Sequence, residues 1–469
     1  MKRPLQYLVL LVGVVLFATT GRAETPPNII LILCDNLGYG DVGCYGSKLH
    51  RTPHVDRLAR EGLRFTDFYV SSGVCTPSRA SLMTGCYPRR VGLHRPDNPG
   101  LVLQPVSHMG LHPDEVTIAE VLKSAGYATS LIGKWHLGDQ PTLLPTRQGF
   151  DEYLGIPYSD DMTPREGKPW PPLPLVQGEK VLESGVDRDF LTQRYTEAAV
   201  DFITRHQEQP FFLFLSHAMP GSTRTPYARP EFQGRSKNGK WGDSVEEIDW
   251  STGQLLDCLH SLQLEQRTLV LWMSDNGAPR RDPPQGTNAP LKGWGYDVSE
   301  GAMRVPCIAR WPGHVPADET SGQVCTSMDL YPTFAALAGA KVPDQPPRDG
   351  RNITAVLQGK TQEELRERPV YYYFGEQLQA VRLGDWKLYL PLQERVQNAR
   401  GTTQTFAGAL YNLRTDVAEE ENVLDEHPDV VIQITKHADA ARGDLGDWNR
   451  PGRGQREAAF IEQPVPLLP

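Results

Sequence analysis

Two stretches of the chain are apolar without a break, and each ends on an acid followed by an amide. Asn-Ile-Ile-Leu-Ile-Leu-Cys (28–34) runs into Asp35-Asn36-Leu37-Gly38, and Thr-Leu-Val-Leu-Trp-Met-Ser (268–274) runs into Asp275-Asn276-Gly277. Continuous β-branched and leucine-rich runs, rather than alternation, predict central strands covered on both faces. Between them, helical periodicity at 117–127 precedes a strand pattern at 128–133, and helical periodicity at 191–207 precedes one at 210–216. A further amphipathic helix is expected over 242–262, with a break near Gly253. Helix-then-strand repetition at this spacing predicts an α/β sandwich with a large, mostly parallel central sheet flanked by helices. Ligands collect at the carboxyl ends of such strands, where both acid-amide pairs would lie.

After about residue 360 the pattern changes. Residues 369–375, 380–390 and 409–415 alternate apolar with polar, and 427–442 reads as a helix. This predicts a small antiparallel sheet with a helix against it, followed by an extended tail from Arg450. The expected organisation is a catalytic domain over 24–360 and a smaller C-terminal subdomain over 361–469.

The first residues form a different kind of segment. Lys2 and Arg3 precede an apolar run from Leu8 to Phe17, and Gly21-Arg22-Ala23 offers a small-x-small cleavage site. That is the form of a secretory signal peptide over 1–23, too short in its apolar core to span a bilayer comfortably. An exported protein, periplasmic or secreted (lysosomal if the host is eukaryotic), is expected, with no membrane span. A formal net charge of −9 argues against a nucleic-acid partner, which calls for a basic face. Oligomeric state is not legible. Seven cysteines are few for 469 residues, so this is no disulfide scaffold.

Asp35, Asn36, Asp275 and Asn276 offer only oxygen ligands, which suit a hard cation, Ca²⁺ or Mg²⁺, better than zinc. Either pair alone reads as turn chemistry; two pairs at the ends of two buried strands favour a metal. Cys75-Thr76-Pro77-Ser78-Arg79 reads as a helix start, with Thr76 as cap and Pro77 in the first turn. Backbone amides there, and the forked Arg79 one turn on, suit an oxyanion. Cys75 itself admits other readings, a bridge to Cys86 or a hydrolase nucleophile.

The stretch Cys-Thr-Pro-Ser-Arg resembles the Cys-x-Pro-Ser-Arg core of the type I sulfatases of the alkaline phosphatase superfamily. The resemblance continues along most of the chain, through Gly-Lys-Trp-His-Leu-Gly at 133–138, Ser-Asp-Asn-Gly-Ala-Pro at 274–279 and the signature over 291–313. Gly-Phe-Asp-Glu-Tyr-Leu-Gly-Ile-Pro-Tyr-Ser-Asp-Asp-Met at 149–162 is similar to the arylsulfatase A branch. The resemblance implies an alkaline-phosphatase-like fold and an arylsulfatase-type hydrolase of sulfate esters, acting on a sulfated carbohydrate or glycolipid. It implies that a formylglycine-generating enzyme oxidises Cys75 to formylglycine (3-oxoalanine), whose hydrate attacks sulfur and then collapses to release sulfate.

By the same resemblance, Asp35, Asn36, Asp275 and Asn276 hold Ca²⁺ beside residue 75, and Arg79 binds the metal-bound carboxylate. Lys134, Lys292 and Ser159 hold the sulfate oxygens, and His136 assists the collapse. The chain departs from the pattern twice. Asn36 stands where a second aspartate is usual, and Gly221 where the leaving-group histidine is usual; His217 or Arg224 is the expected substitute. A phosphate or phosphonate ester hydrolase and a catalytically silent sulfate-glycan binding protein are the competing expectations.

Overall fold

A computed structural model describes residues 26–97, 100–396, 403–448 and 450–468, so the expected leader lies outside the described residues. Twelve strands come first in chain order: β1 Asn28–Asp35, β2 Leu63–Phe65, β3 Phe68–Tyr69, β4 Met109–Gly110, β5 Ala128–Gly133, β6 Glu152–Gly155, β7 Pro174–Gln177, β8 Lys180–Ser184, β9 Phe211–Pro220, β10 Thr268–Ser274, β11 Cys307–Arg310 and β12 Glu319–Ser321. Ten of them build one sheet in the order β12-β2-β11-β10-β1-β9-β5-β6-β7-β8. From β10 through β6 the neighbours are parallel, whereas β11 pairs antiparallel with β10 and β2, and the β7–β8 hairpin pairs antiparallel with β6. The sheet is therefore mixed, with a parallel centre, antiparallel pairs on either side of it and a parallel β2–β12 pair at one edge. The short runs at 174–177 and 180–184 can join by a tight turn, which a parallel pair cannot use.

The unbroken apolar text of β1 follows from its position. Ile29, Leu31 and Leu33 pack with the helices α2 (Cys75–Thr84) and α3 (Ile118–Ser124) on one face. Ile30, Ile32 and Cys34 pack on the other, with α1 (Pro53–Arg60), α4 (Leu191–Arg205) and α5 (Gly239–Ser261). Each such isoleucine or leucine, taken fully out of water, contributes roughly 1.5–3 kcal/mol as an upper bound.

Helix α5 runs through Gly253 without the expected break. A methyl there would lie 2.6 Å from the His54 ring, so the glycine serves close packing of α1 on α5. The capping expectation also shifts: α2 starts at Cys75 after Val74, while the Thr76 hydroxyl donates to the His136 carbonyl (3.1 Å) and accepts from Leu103 N (3.2 Å).

Beyond these, β13 Cys325–Thr326 pairs with β3. The second sheet joins β14 Val370–Phe374, β15 Gln377–Leu383, β16 Trp386–Tyr389 and β19 Ala409–Asn412, all antiparallel, and a ribbon of β17 Leu392–Val396 and β18 Thr403–Phe406 lies between β16 and β19 in sequence. The helix Pro428–Asp444 packs on this sheet through Ile434, Ala438 and Ala441. The tail returns to the first sheet's side of the molecule, where β20 Ala459–Phe460 pairs with β4. Among the described residues no helix is long and apolar enough to cross a membrane.

Candidate active site

Because β1, β5, β6, β9 and β10 run parallel, their carboxyl ends meet on one edge. Asp35 closes β1, Lys134 follows β5, Ser159 follows β6 by a few residues, Ser216 lies near the end of β9, and Asp275 follows β10. The first turn of α2 brings Cys75 to the same place. Its thiol lies 3.2 Å from Asp35 Oδ1 and 3.7 Å from Asn36 Oδ1. Asp35, Cys75 and Asp275 offer ligand atoms that all lie within 4.8 Å of one another, and all three are buried. Asn36 adopts a left-handed conformation (φ 60°), which asparagine tolerates, and its backbone N–H donates to Asp275 Oδ1 at 3.0 Å.

Two buried cations hold the carboxylates. Arg79 donates through Nε to Asp275 Oδ2 (2.9 Å), through Nη1 to Ser216 Oγ (2.6 Å) and the Lys134 carbonyl (2.9 Å), and through Nη2 to Asp35 Oδ1 (3.3 Å). Lys134 Nζ donates to Asp35 Oδ1 (2.8 Å) and Ser159 Oγ (3.3 Å). Burial by itself pushes the Asp35 carboxyl up, but Lys134 and Arg79 beside it hold it below the ordinary range. Burial and the neighbouring Asp35 charge push Asp275 up. Burial, Asp275 and Asp35 push the Cys75 thiol well up, the reverse of what a thiolate nucleophile requires. All seven cysteines are unbridged, so the Cys75–Cys86 disulfide is not formed.

His136 Nε2 donates to the Leu103 carbonyl at 2.9 Å, which leaves Nδ1 as the acceptor; burial and Lys134 keep the ring neutral. Nδ1 is buried with no partner among the described residues, as are Asp35 Oδ2 and Asn276 Oδ1. Orphaned oxygens on two members of an all-oxygen donor set fit a hard cation, whose ligands they would be.

One expectation is corrected. His217 points away: successive side chains of a strand alternate, and since Ser216 faces Arg79, His217 faces α5, where Nε2 meets Ser251 Oγ at 3.4 Å. It is fully buried and its pKa falls to about 3 through burial, so it stays a neutral imidazole without the acidic imidazolium proton a general acid gives. Arg224 is exposed, and its hydrogen bond is a backbone one, its carbonyl accepting from Gln285. Lys292 is also exposed, donating to the Glu419 carbonyl (2.6 Å) and lying 5.2 Å from the Tyr411 ring centre; none of its contacts belongs to the cluster.

Ser222 and Tyr296 are residues that the sequence did not single out. The hydroxyl of Ser222 accepts from Asn36 Nδ2 (3.0 Å) and pairs with the Tyr296 hydroxyl (2.8 Å). Burial, with Cys75 close by, pushes the Tyr296 phenol well up. Tyr296 lies in the signature over 291–313 and Ser222 follows Gly221, so only position relative to those motifs hinted at them. A surface recess lined by Arg57, Arg60, His260, Arg310 and His314 shares no residue with the cluster.

A family model described as Sulfatase matches residues 27–340, and one described as N-sulphoglucosamine sulphohydrolase, C-terminal, matches residues 293–442. The chain is 38% identical over 401 residues to N-acetylgalactosamine-6-sulfatase of Sus scrofa, covering 82% of this chain and 75% of that relative. It is 38% identical over 437 residues to arylsulfatase A of Homo sapiens, covering 85% and 83%. Among solved structures, that of Ps i-CgsB in complex with k-i-k-neocarrahexaose matches with a TM-score of 0.76 at 30% identity, over 90% of this chain and 95% of that one.

Proposed function

The chain belongs to the type I sulfatases of the alkaline phosphatase superfamily, and from that premise we propose that it removes sulfate from a sulfated carbohydrate or glycolipid, using formylglycine made from Cys75. Like its relatives it is a sulfuric ester hydrolase. The carbohydrate assignment draws on the oligosaccharide in the Ps i-CgsB complex and on the sugar sulfatase among the relatives.

One observation carries the proposal: the Cys75 side chain sits at a helix start, 3.2 Å from Asp35 Oδ1, with both strand-end carboxylates and two buried cations around it. The thiol is held neutral there, so the residue serves as the precursor of an aldehyde matured by a formylglycine-generating enzyme. The aldehyde hydrate supplies the nucleophile for sulfur and the route by which sulfate leaves. Asp35, Asn36, Asp275 and Asn276 would hold Ca²⁺, or Mg²⁺ in its stead, and the cation supplies Lewis acidity at the nucleophile.

The remaining roles belong to the protein itself. Lys134 and Ser159, bonded to each other, face the sulfate oxygens and offset charge that grows as the ester bond breaks. Arg79 fixes Asp275 and Asp35 in place. His136 Nδ1, an unprotonated acceptor, would take a proton from the group at position 75. With His217 turned towards α5 and glycine at 221, neither position offers a proton to the leaving oxygen, a proton that esters of acidic alcohols need least. We read 24–360 as the catalytic domain, 361–469 as its smaller partner, and export through the leader as its route.

The test is mass analysis of the tryptic peptide around Cys75 from a host with the maturing enzyme, joined to sulfate release from a panel of sulfated sugars. The expected result is an aldehyde at position 75 and sulfate release that Cys75→Ala abolishes. Full activity with an intact thiol would remove the mechanism. Faster turnover of the matched phosphate or phosphonate esters would move the activity elsewhere in the superfamily, and glycan binding without sulfate release would leave a binding protein.

A further inference from the structure

Position 221 is a glycine with φ 76°, a conformation that a side chain rarely adopts. The point where a methyl would stand on it is surrounded by oxygen: the Ala218 carbonyl at 2.6 Å, Asp160 Oδ1 at 2.8 Å and Asp35 Oδ2 at 3.5 Å. Asp160 belongs to no part of the site described so far. It is fully buried, and neither of its carboxylate oxygens has a hydrogen-bond partner among the described residues. Asp35 Oδ2, the oxygen facing it across this recess, is likewise buried and unpartnered, while Asp35 Oδ1 already serves Lys134, Arg79 and Cys75.

Two fully buried carboxyl groups with three unpartnered oxygens, converging on one recess, are costly when ionised unless something positive lies between them. The ion pairs in reach do not provide it, because Lys134 and Arg79 are spent on Asp35 Oδ1 and Asp275, and Arg188 contacts only the Asp160 backbone carbonyl, at 3.1 Å. The cation centre is also short of charge, since Asn36 contributes an amide where a carboxylate would contribute a negative charge. We propose that Asp160, reaching through the oxygen-lined recess at Gly221 that it shares with Asp35 Oδ2 and the Ala218 carbonyl, is a further carboxylate of the cation centre and supplies the charge that Asn36 lacks. Ca²⁺ takes six to eight oxygens at about 2.3–2.6 Å in irregular geometry, and its affinity follows the number of charged ligands. Glycine at 221 keeps the recess open; any side chain there would collide with the Asp160 carboxylate.

The proposal rests on the Ca²⁺ site put forward above, and its test separates the two. Full-length protein, stripped with a chelator, is titrated with Ca²⁺, and its melting temperature is followed for the wild type, Asp160→Asn, Asp160→Ser and Asp35→Asn. Wild type should melt higher as Ca²⁺ rises, and Asp35→Asn should lose that response. Both Asp160 variants should need about tenfold more Ca²⁺ or more for half of the gain, within the range that carboxylates around a metal command. Stripped of metal, they should melt at or above the wild-type temperature, because an unpartnered carboxylate has gone. The opposite signs matter, since a merely structural aspartate would lower both melting points together. Half-saturation within about twofold of wild type, in either folded variant, would overturn the role of Asp160 and leave the Asp35 site standing. Absence of any Ca²⁺ response in the wild type would remove both.

Discussion

Replacing Arg79 by lysine keeps the charge and discards the fork. The guanidinium serves Asp275 through two nitrogens (2.9 and 2.8 Å), and also Ser216, the Lys134 carbonyl and Asp35, all from a side chain that is 1% exposed. A lysine at this position is shorter and has one nitrogen with three protons, so at least two of these bonds are lost. Charge-assisted hydrogen bonds contribute about 1.5–3 kcal/mol each, which puts the loss at roughly 3–6 kcal/mol. An unfolding entropy of about 2.1 cal/mol/K per residue amounts to roughly 1 kcal/mol/K for a chain of this length, so Arg79→Lys should melt about 3–6 °C lower. The assay is thermal unfolding by circular dichroism at one scan rate, in excess chelator so that no cation masks the change. Activity at saturating Ca²⁺ should fall as well, because Asp275 and Asp35 are no longer held in one geometry. A melting point within about 1 °C of wild type would show that the fork does not organise the carboxylates, and the reasoning would fail.

Two further outcomes follow from buried charge elsewhere in the chain. Lys387 Nζ bridges Glu300 (3.0 Å) and Glu419 (3.2 Å) with all three side chains fully buried, so Lys387→Met should cost about 3–5 kcal/mol by stranding two carboxylates, seen in chemical denaturation, while kcat/KM per folded molecule stays at the wild-type value. Burial pushes Glu247 up to about 8 and Asp41 and Asp249 up to about 7. Carboxyls raised on folding stabilise the protein below their unfolded pKa, and that contribution is lost as pH rises through the folded values, so the melting temperature at saturating Ca²⁺ should decline from about pH 4 to about pH 8 and level off above it. Glu247→Gln should flatten the alkaline part of that decline; an unchanged slope would mean the group is already ionised at neutral pH.

The text of the chain was enough to place the parallel centre of the sheet. Uninterrupted runs such as 28–34 and 268–274 leave no polar face, and only a strand packed on both sides accommodates that. It was likewise enough to place Asp35, Asn36, Asp275 and Asn276 at the carboxyl ends of neighbouring strands, because each pair follows its run without a gap. The family-like motifs pointed to Cys75, Arg79, Lys134, His136 and Ser159, and these do come together. The orientation of His217 was accessible in principle from strand alternation, once Ser216 was known to face inward.

Tertiary structure alone decided the rest. Lys292 turns to Glu419, more than a hundred residues later in the chain, because the partner that captures its ammonium group lies far off in sequence. Ser222, Tyr296 and Asp160 stand in irregular loops, where no hydrophobic period marks an inward side chain. Their roles depend on which oxygens lie opposite and how much water is excluded, and both are properties of the folded surroundings. A linear sequence specifies burial through periodicity, so it speaks clearly about strands and helices. What faces what across a loop-built recess is set by the three-dimensional path of segments that periodicity does not describe.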